Sequence, residues 1–154
     1  VKEYFHLLKK KCSNKIPKRS KLIEQDNKLL NELNQNVPSL IKLINKQNLN
    51  EFIKLVVGYS FDANKYFNDS EPWSVKKNDP ERMNAILFTI CTQIKNISIL
   101  LNPIIPLATE KVLETMNVKK ENRTISKIDN FKCFDHDKEL KKLDILFTKI
   151  DNDN

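Results

Sequence analysis

Apolar residues recur at three- and four-residue spacing through 48–67, NLNEFIKLVVGYSFDANKYF. Phe52, Leu55, Val56, Tyr59, Ala63, Tyr66 and Phe67 share one face, and Glu51, Lys54, Asp62 and Lys65 lie on the other. This period predicts an amphipathic helix, opened by Asn48 and Glu51 as a capping pair. Gly58, inside it, costs roughly 1 kcal/mol relative to Ala and is expected to mark a tight helix crossing. A more apolar pattern starts at Asp79-Pro80-Glu81: a cap, a proline in the first helical position, then an acid near the positive end of the dipole. Met83, Ile86, Leu87, Ile90, Ile94, Ile97 and Leu101 follow on one face, and Ala85, Phe88, Cys91 and Ile99 widen the stripe. A helix apolar on so many sides is expected at the centre of the fold. Pro103 stops it, and Pro106 opens the next helix, LATEKVLETMN.

On the N-terminal side, VKEYFHLLKKK reads as the end of a helix, its lysines suiting the negative end of the dipole. CSNKIPKRS is a loop. A short helix is expected over Leu22 to Leu33 and another over Val37 to Lys46, capped by Asn36 with Pro38 in its first turn. Residues 118–154 form a polar tail with apolar punctuation, among it Ile125, Ile128, Phe131, Phe134, Leu140, Leu143, Ile145, Leu146, Phe147 and Ile150. The expected fold is all-α: a bundle of four to five helices over 1–117, its first helix truncated, with an irregular tail over 118–154 packing back on it and a frayed end.

Composition narrows the chemistry. The chain has 154 residues, enough for one domain with a real core. Gly58 is its only glycine, which excludes phosphate loops of the Walker or dinucleotide type. Cys12, Cys91 and Cys133 are odd in number and far apart, which suits a reducing, cytoplasmic compartment. No apolar run approaches the roughly 18 residues of a membrane helix, and no signal peptide is visible, so no membrane partner is expected. Cys133 and His136 are three residues apart, but no second ligand pair accompanies them, so no metal is expected. His6 and His136 are the only histidines, and neither is matched to a nucleophile, so no catalytic constellation is expected. A Val at position 1 reads as an unusual start or as the tail of something longer.

Charge is unevenly placed. The net charge is +7, and the first 21 residues hold eight Lys/Arg against Glu3 alone. Lys9, Lys10 and Lys11 are the densest run. The segment is either a phosphate-facing stripe, since clustered lysine gives sequence-independent affinity for nucleic acid, or a solvated loop.

The one tryptophan, Trp73, sits in the most polar linker, NKYFNDSEPWSVKKNDP. On the residues alone it fits a lid folded back on the core or an exposed platform. The surrounding order is Asn64, Tyr66, Glu71-Pro72-Trp73 and Asp79-Pro80, then Leu100-Leu101-Asn102-Pro103-Ile104-Ile105-Pro106 and Ala108-Thr109-Glu110-Lys111-Val112. This series resembles the C-terminal anticodon-binding domain of methionyl-tRNA synthetases. The tail LDILFTKID is also similar to that family's L-F-x-R-I ending, with Lys149 at the Arg position. The resemblance covers roughly residues 1–150.

The resemblance implies a tRNA anticodon-loop binding module with the helical fold of class I synthetase anticodon domains. Trp73, set by Pro72, would stack on an unstacked anticodon base, Asn64 of the same motif would join the tRNA-binding site, and the charge of Lys9, Lys10 and Lys11 would then face phosphates. Partners would be initiator or elongator methionine tRNA and a separate synthetase catalytic domain. The H-I-G-H-like and K-M-S-K-S-like signatures of the family's catalytic half do not occur in this sequence. ATP and methionine would then bind elsewhere, and this chain would need no cofactor and be inactive alone. The family also reads the anticodon with an Asn and, four residues later, an Arg. Aligned back from the CSNKIP loop, the Arg position falls at Glu3 and the Asn before residue 1, which implies poor sequence discrimination. Two other functions remain: a helical module that docks a separately encoded catalytic domain, and a remnant without function.

Overall fold

The computed structural model describes residues 2–75, 77–128 and 132–143. Six helices follow in order among them: α1 (Lys2–Lys11), α2 (Glu24–Asn45), α3 (Leu49–Ser70), α4 (Pro72–Val75), α5 (Pro80–Leu101) and α6 (Pro106–Thr115). No strand occurs among the described residues; an isolated bridge joins Lys15 to Glu139.

The start of α5 obeys its sequence signal. The Asp79 side chain accepts from Arg82 N at 3.0 Å, and Pro80 stands at the first helical position. From Ala85 to Asn96 every residue is buried, polar ones included. Thr89 and Thr92 bury their hydroxyls by donating to Ala85 O and Phe88 O, each at 2.8 Å. This helix is long and apolar enough to cross a membrane by length and mean hydropathy (1.4), contrary to the sequence expectation. It is 83% buried among its neighbours, which makes it the core of the bundle.

Two expected helices are one. α2 runs unbroken from Glu24 to Asn45 with Pro38 inside it. Proline there forfeits a backbone bond and costs about 3 kcal/mol. Leu33 and Leu40, on either side of it, are fully buried, and their packing outweighs the local preference. Asn36 is therefore no cap; its side-chain nitrogen donates to Glu32 O at 2.9 Å. At α3, Asn48 is the N-cap residue but makes no side-chain capping bond. The buried face of α3 holds Phe52, Val56, Tyr59, Ala63, Tyr66 and Phe67, whereas Leu55 lies at its border, 38% exposed.

Gly58 marks no crossing. A Cβ added there meets nothing within 4 Å. Gly58→Ala is therefore expected to stabilise the chain by about 0.5–1 kcal/mol, since it removes backbone freedom from the unfolded state without a clash. A higher urea midpoint with unchanged slope is the signature; a lower midpoint contradicts the open surroundings.

One polar network ties α2, α3 and α5. Asp26, fully buried, accepts from Arg82 Nη1 at 2.6 Å and Nη2 at 2.9 Å, from the Tyr66 hydroxyl and from Ile23 N at 3.0 Å. Burial pushes the Asp26 carboxyl up, but its bonds from Arg82, Tyr66 and Ile23 together outweigh this and hold it below the ordinary carboxylate range. The Tyr66 phenol is pushed up, by burial first and then by Asp26.

The described part of the tail returns to the bundle through polar contacts. Leu140 N donates to Asn14 O at 2.7 Å and Lys141 N to Thr115 O at 3.0 Å. Lys95, fully buried on α5, donates from Nζ to Ile128 O at 3.0 Å. Arg123 pairs with Glu110 and, at 2.8 Å, with Glu114, and its Nε donates to Val118 O at 2.8 Å. Lys141 and Arg123 hold the Glu114 carboxyl at about 2. Phe131, Ile145, Leu146, Phe147, Lys149 and Ile150 lie outside the described residues.

Candidate nucleic-acid interface

The chain turns sharply where α3 ends. Glu71 adopts a left-handed conformation (φ 45°, ψ 57°), which costs a non-glycine residue about 1–2 kcal/mol. Its N–H closes α3 on Phe67 O at 3.2 Å, while its carbonyl accepts from Ser74 N and from the Ser74 hydroxyl, each at 2.9 Å. The single-turn helix α4 therefore starts in a new direction, with Pro72 buried and packed toward α5. Pro72 is the anchor that leaves the next side chain outside. Trp73 is 44% exposed, the one indole of the chain.

Trp73 does not fold over the core. It meets Phe67 edge-on, with ring centroids 5.5 Å apart at 61°. Phe67 in turn meets Tyr4 of α1 at 4.5 Å and 69°. Edge-to-face pairs of this kind add about 0.5–1.5 kcal/mol beyond burial. The Tyr4 hydroxyl then donates to Asn64 Oδ1 at 2.9 Å. Burial, and after it the neighbouring Glu3 charge, push the Tyr4 phenol up, so it stays protonated and keeps donating. Three helices thus build one ledge: Tyr4 from α1, Asn64 and Phe67 from α3, and Trp73 from α4.

The ledge brings together Trp73, Pro72 and Asn64, all singled out in the sequence. With Oδ1 of Asn64 taken by Tyr4, the amide nitrogen of this exposed residue is the group available to donate outward. Tyr4 and Phe67 were not anticipated as site residues. Their apolar character reads as core in one dimension, and only the α1–α3 contact reveals a polar edge. Lys9, Lys10 and Lys11 lie in the last turn of α1, beyond Tyr4 by about 7–10 Å along the axis. They flank the ledge and do not line it. Glu3 is exposed, one residue before Tyr4.

The residues weighed for metal do not converge. Cys133 is buried and its thiol is pushed up by burial, against the nearby Lys95 charge. His136 Nδ1 lies 3.0 Å from Ile16 O. Among the described residues no three His, Cys, Asp or Glu side chains are grouped to hold an ion. His6 sits within α1, in the segment expected to be helical.

A family model described as the anticodon-binding domain of methionyl tRNA ligase matches residues 16–154. The chain belongs to this family. A methionine–tRNA ligase of Methanococcus vannielii is 30% identical over 139 residues, which is 89% of this chain and 19% of that protein. One from Brucella suis is 26% identical over 79% of this chain and 24% of its own length. In Dictyostelium discoideum, a probable cytoplasmic methionine–tRNA ligase is 33% identical over 68% of this chain and 14% of its own length. The apo methionyl-tRNA synthetase of Mycobacterium tuberculosis superposes with a TM-score of 0.84 at 16% identity, over 97% of this chain and 31% of that one. The anticodon-binding domain described here thus spans less than a quarter of these curated relatives. The all-α fold expected from the helical periods is the fold of the matched part of that structural neighbour.

Proposed function

We propose that this chain binds the anticodon loop of a tRNA by seating one unstacked base on Trp73. The observation that carries this reading is the ledge itself. In a chain of the anticodon-binding family, the only indole stands half-exposed beside a buried proline, and Phe67 and Tyr4 connect it to the exposed Asn64. An aromatic face against a splayed base supplies about 1–3 kcal/mol, and single-stranded RNA loops are commonly held this way. The edge contact with Phe67 limits rotation of the indole before RNA arrives, which lowers the ordering cost of binding.

The RNA is proposed to be a methionine tRNA, and the compartment cytoplasmic, in keeping with three cysteines that are in no disulfide. Work alongside a catalytic body, in the same polypeptide or another, which would handle ATP and methionine, belongs to the same proposal. It is supported by the small share of the relatives' length that the chain spans.

Because Trp73 is the only tryptophan, its fluorescence reports on the site without a label. Titration with an anticodon stem-loop RNA is expected to quench it saturably. Binding of that RNA with no change in tryptophan emission would remove the stacking role.

A further inference from the structure

We propose that a second RNA contact lies at the far end of α1, a recess that takes backbone phosphates; it rests on the RNA-binding reading above. The sequence places the whole excess of positive charge in its first 21 residues, but not how those lysines are arranged. The chain reverses at the end of α1. Cys12 N and Asn14 N both return to Leu8 O, at 2.9 and 3.1 Å, and Ser13 and Asn14 take positive φ of 53° and 58°. This brings Lys15 and Lys18 back beside Lys11. Together they line a recess of about 300 Å³, whose other polar walls are Ser13, Asn84 of α5 and His136 of the tail.

Among the described residues no carboxylate lines this recess. The acids nearest in the tail sequence, Asp135 and Asp137, line a neighbouring cavity with Lys18. Glu139 lies across the backbone bridge from Lys15 and is not among the lining residues. Lys15 and Lys18 on one concavity, with the hydroxyl of Ser13 and the amide of Asn84 also in its lining, suit phosphodiester oxygens as ligand. The tail completes the wall: His136 Nδ1 is 3.0 Å from Ile16 O, within the lysine loop. From Tyr4 to Lys11 the helix rises about 10 Å, a separation of one or two nucleotides. One RNA would then place a loop base on Trp73 and a phosphate in the recess, since Tyr4 of the ledge and Lys11 of the recess belong to the same helix.

Filter binding of an anticodon stem-loop RNA across a salt series tests this on the 154-residue chain. Lys15→Ala/Lys18→Ala is expected to lower the slope of log affinity against log salt by about two, and to weaken binding roughly tenfold at low salt. The saturated quench of Trp73 should stay unchanged. Trp73→Ala should weaken binding while leaving the salt slope intact. An unchanged slope in the double variant, with Trp73→Ala still weakening, overturns the recess and spares the stacking site. The same slope change from Lys42→Ala/Lys46→Ala, exposed at the C-terminal end of α2, overturns it in favour of diffuse charge. Displacement of RNA by inorganic phosphate at constant ionic strength, lost in the double variant, overturns the phosphodiester assignment in favour of free phosphate. No RNA binding by the unaltered chain removes the functional reading and the recess together.

Discussion

Trp73→Ala is expected to weaken binding of an anticodon stem-loop RNA by roughly 10- to 100-fold, the equivalent of losing one base–aromatic stack. Trp73→Phe should recover part of that loss, since a smaller ring still offers a flat face. Substitution elsewhere on the ledge should act differently. The Tyr4 hydroxyl holds Asn64 Oδ1 at 2.9 Å, so Tyr4→Phe keeps the ring contact with Phe67 and frees the amide to turn. Its effect should be smaller and should depend on the base presented. Circular dichroism of Trp73→Ala should remain that of a folded bundle. The indole is 44% exposed and meets Phe67 edge-on, so truncation leaves the fully buried core in place. An affinity within twofold of the original chain would leave Trp73 as an ornament of the surface, and the site would have to be sought along the lysines.

Asp26→Ala should be the most destabilising single truncation, by about 3–5 kcal/mol, because it strands a charged partner. Arg82 forms a two-pronged pair with the Asp26 carboxylate, and the Tyr66 hydroxyl and Ile23 N complete its acceptor sites. Removing the carboxylate leaves Arg82, only 19% exposed, without its counter-charge and the buried phenol without its acceptor. A domain of this size is held by only about 5–15 kcal/mol, so the loss is a large fraction of the whole. The paired change Asp26→Leu with Arg82→Met should cost much less than the sum of the two singles, because both charges leave together. Additive losses in urea titrations would show that the pair is not coupled.

The same network sets a pH dependence. The Asp26 carboxyl is held low in the folded chain, so the unfolded chain binds the proton more readily. Its contribution is fully present above the unfolded carboxylate value of about 3.9 and is lost as pH falls through the folded value. Glu114, held at about 2 by Lys141 and Arg123, titrates in the same window but is exposed and screened. The difference between the original chain and Asp26→Asn therefore isolates the buried group. That difference should shrink below about pH 4, and a constant difference would contradict the role given to its ionised form.

Much of the fold was legible one residue at a time. The Asp79-Pro80 start of α5, its apolar stripe and the Pro106 start of α6 are local signals, and they were read correctly. Misreadings came where packing overruled local preference. Pro38 looked like a helix start and is a helix interior, held there by Leu33 and Leu40 in the core. Gly58 looked like a crossing and borders open space. Asp26 and Lys95 attracted no notice as polar residues on a helix. Both are fully buried, because partners 56 and 33 positions away in the sequence satisfy them.

Sequence alone determined that this is a helical bundle, that its central helix is α5, and that a tryptophan follows a proline in a polar linker of anticodon-domain type. Helical period, proline geometry and motif order are properties of neighbours along the chain, so one dimension suffices for them. Which way Trp73 faces was decided only in three dimensions. Its exposure depends on the left-handed turn at Glu71, the burial of Pro72 against α5, and the edge-to-face Phe67–Tyr4 contact that brings α1 to α3. The clustering of Lys11, Lys15 and Lys18 around one recess was likewise a tertiary outcome, since the tail's His136 forms its far wall. Contacts between residues about 60 or 120 positions apart carry no periodic signal. They arise when the core closes, and the ledge and the recess are both made of such contacts.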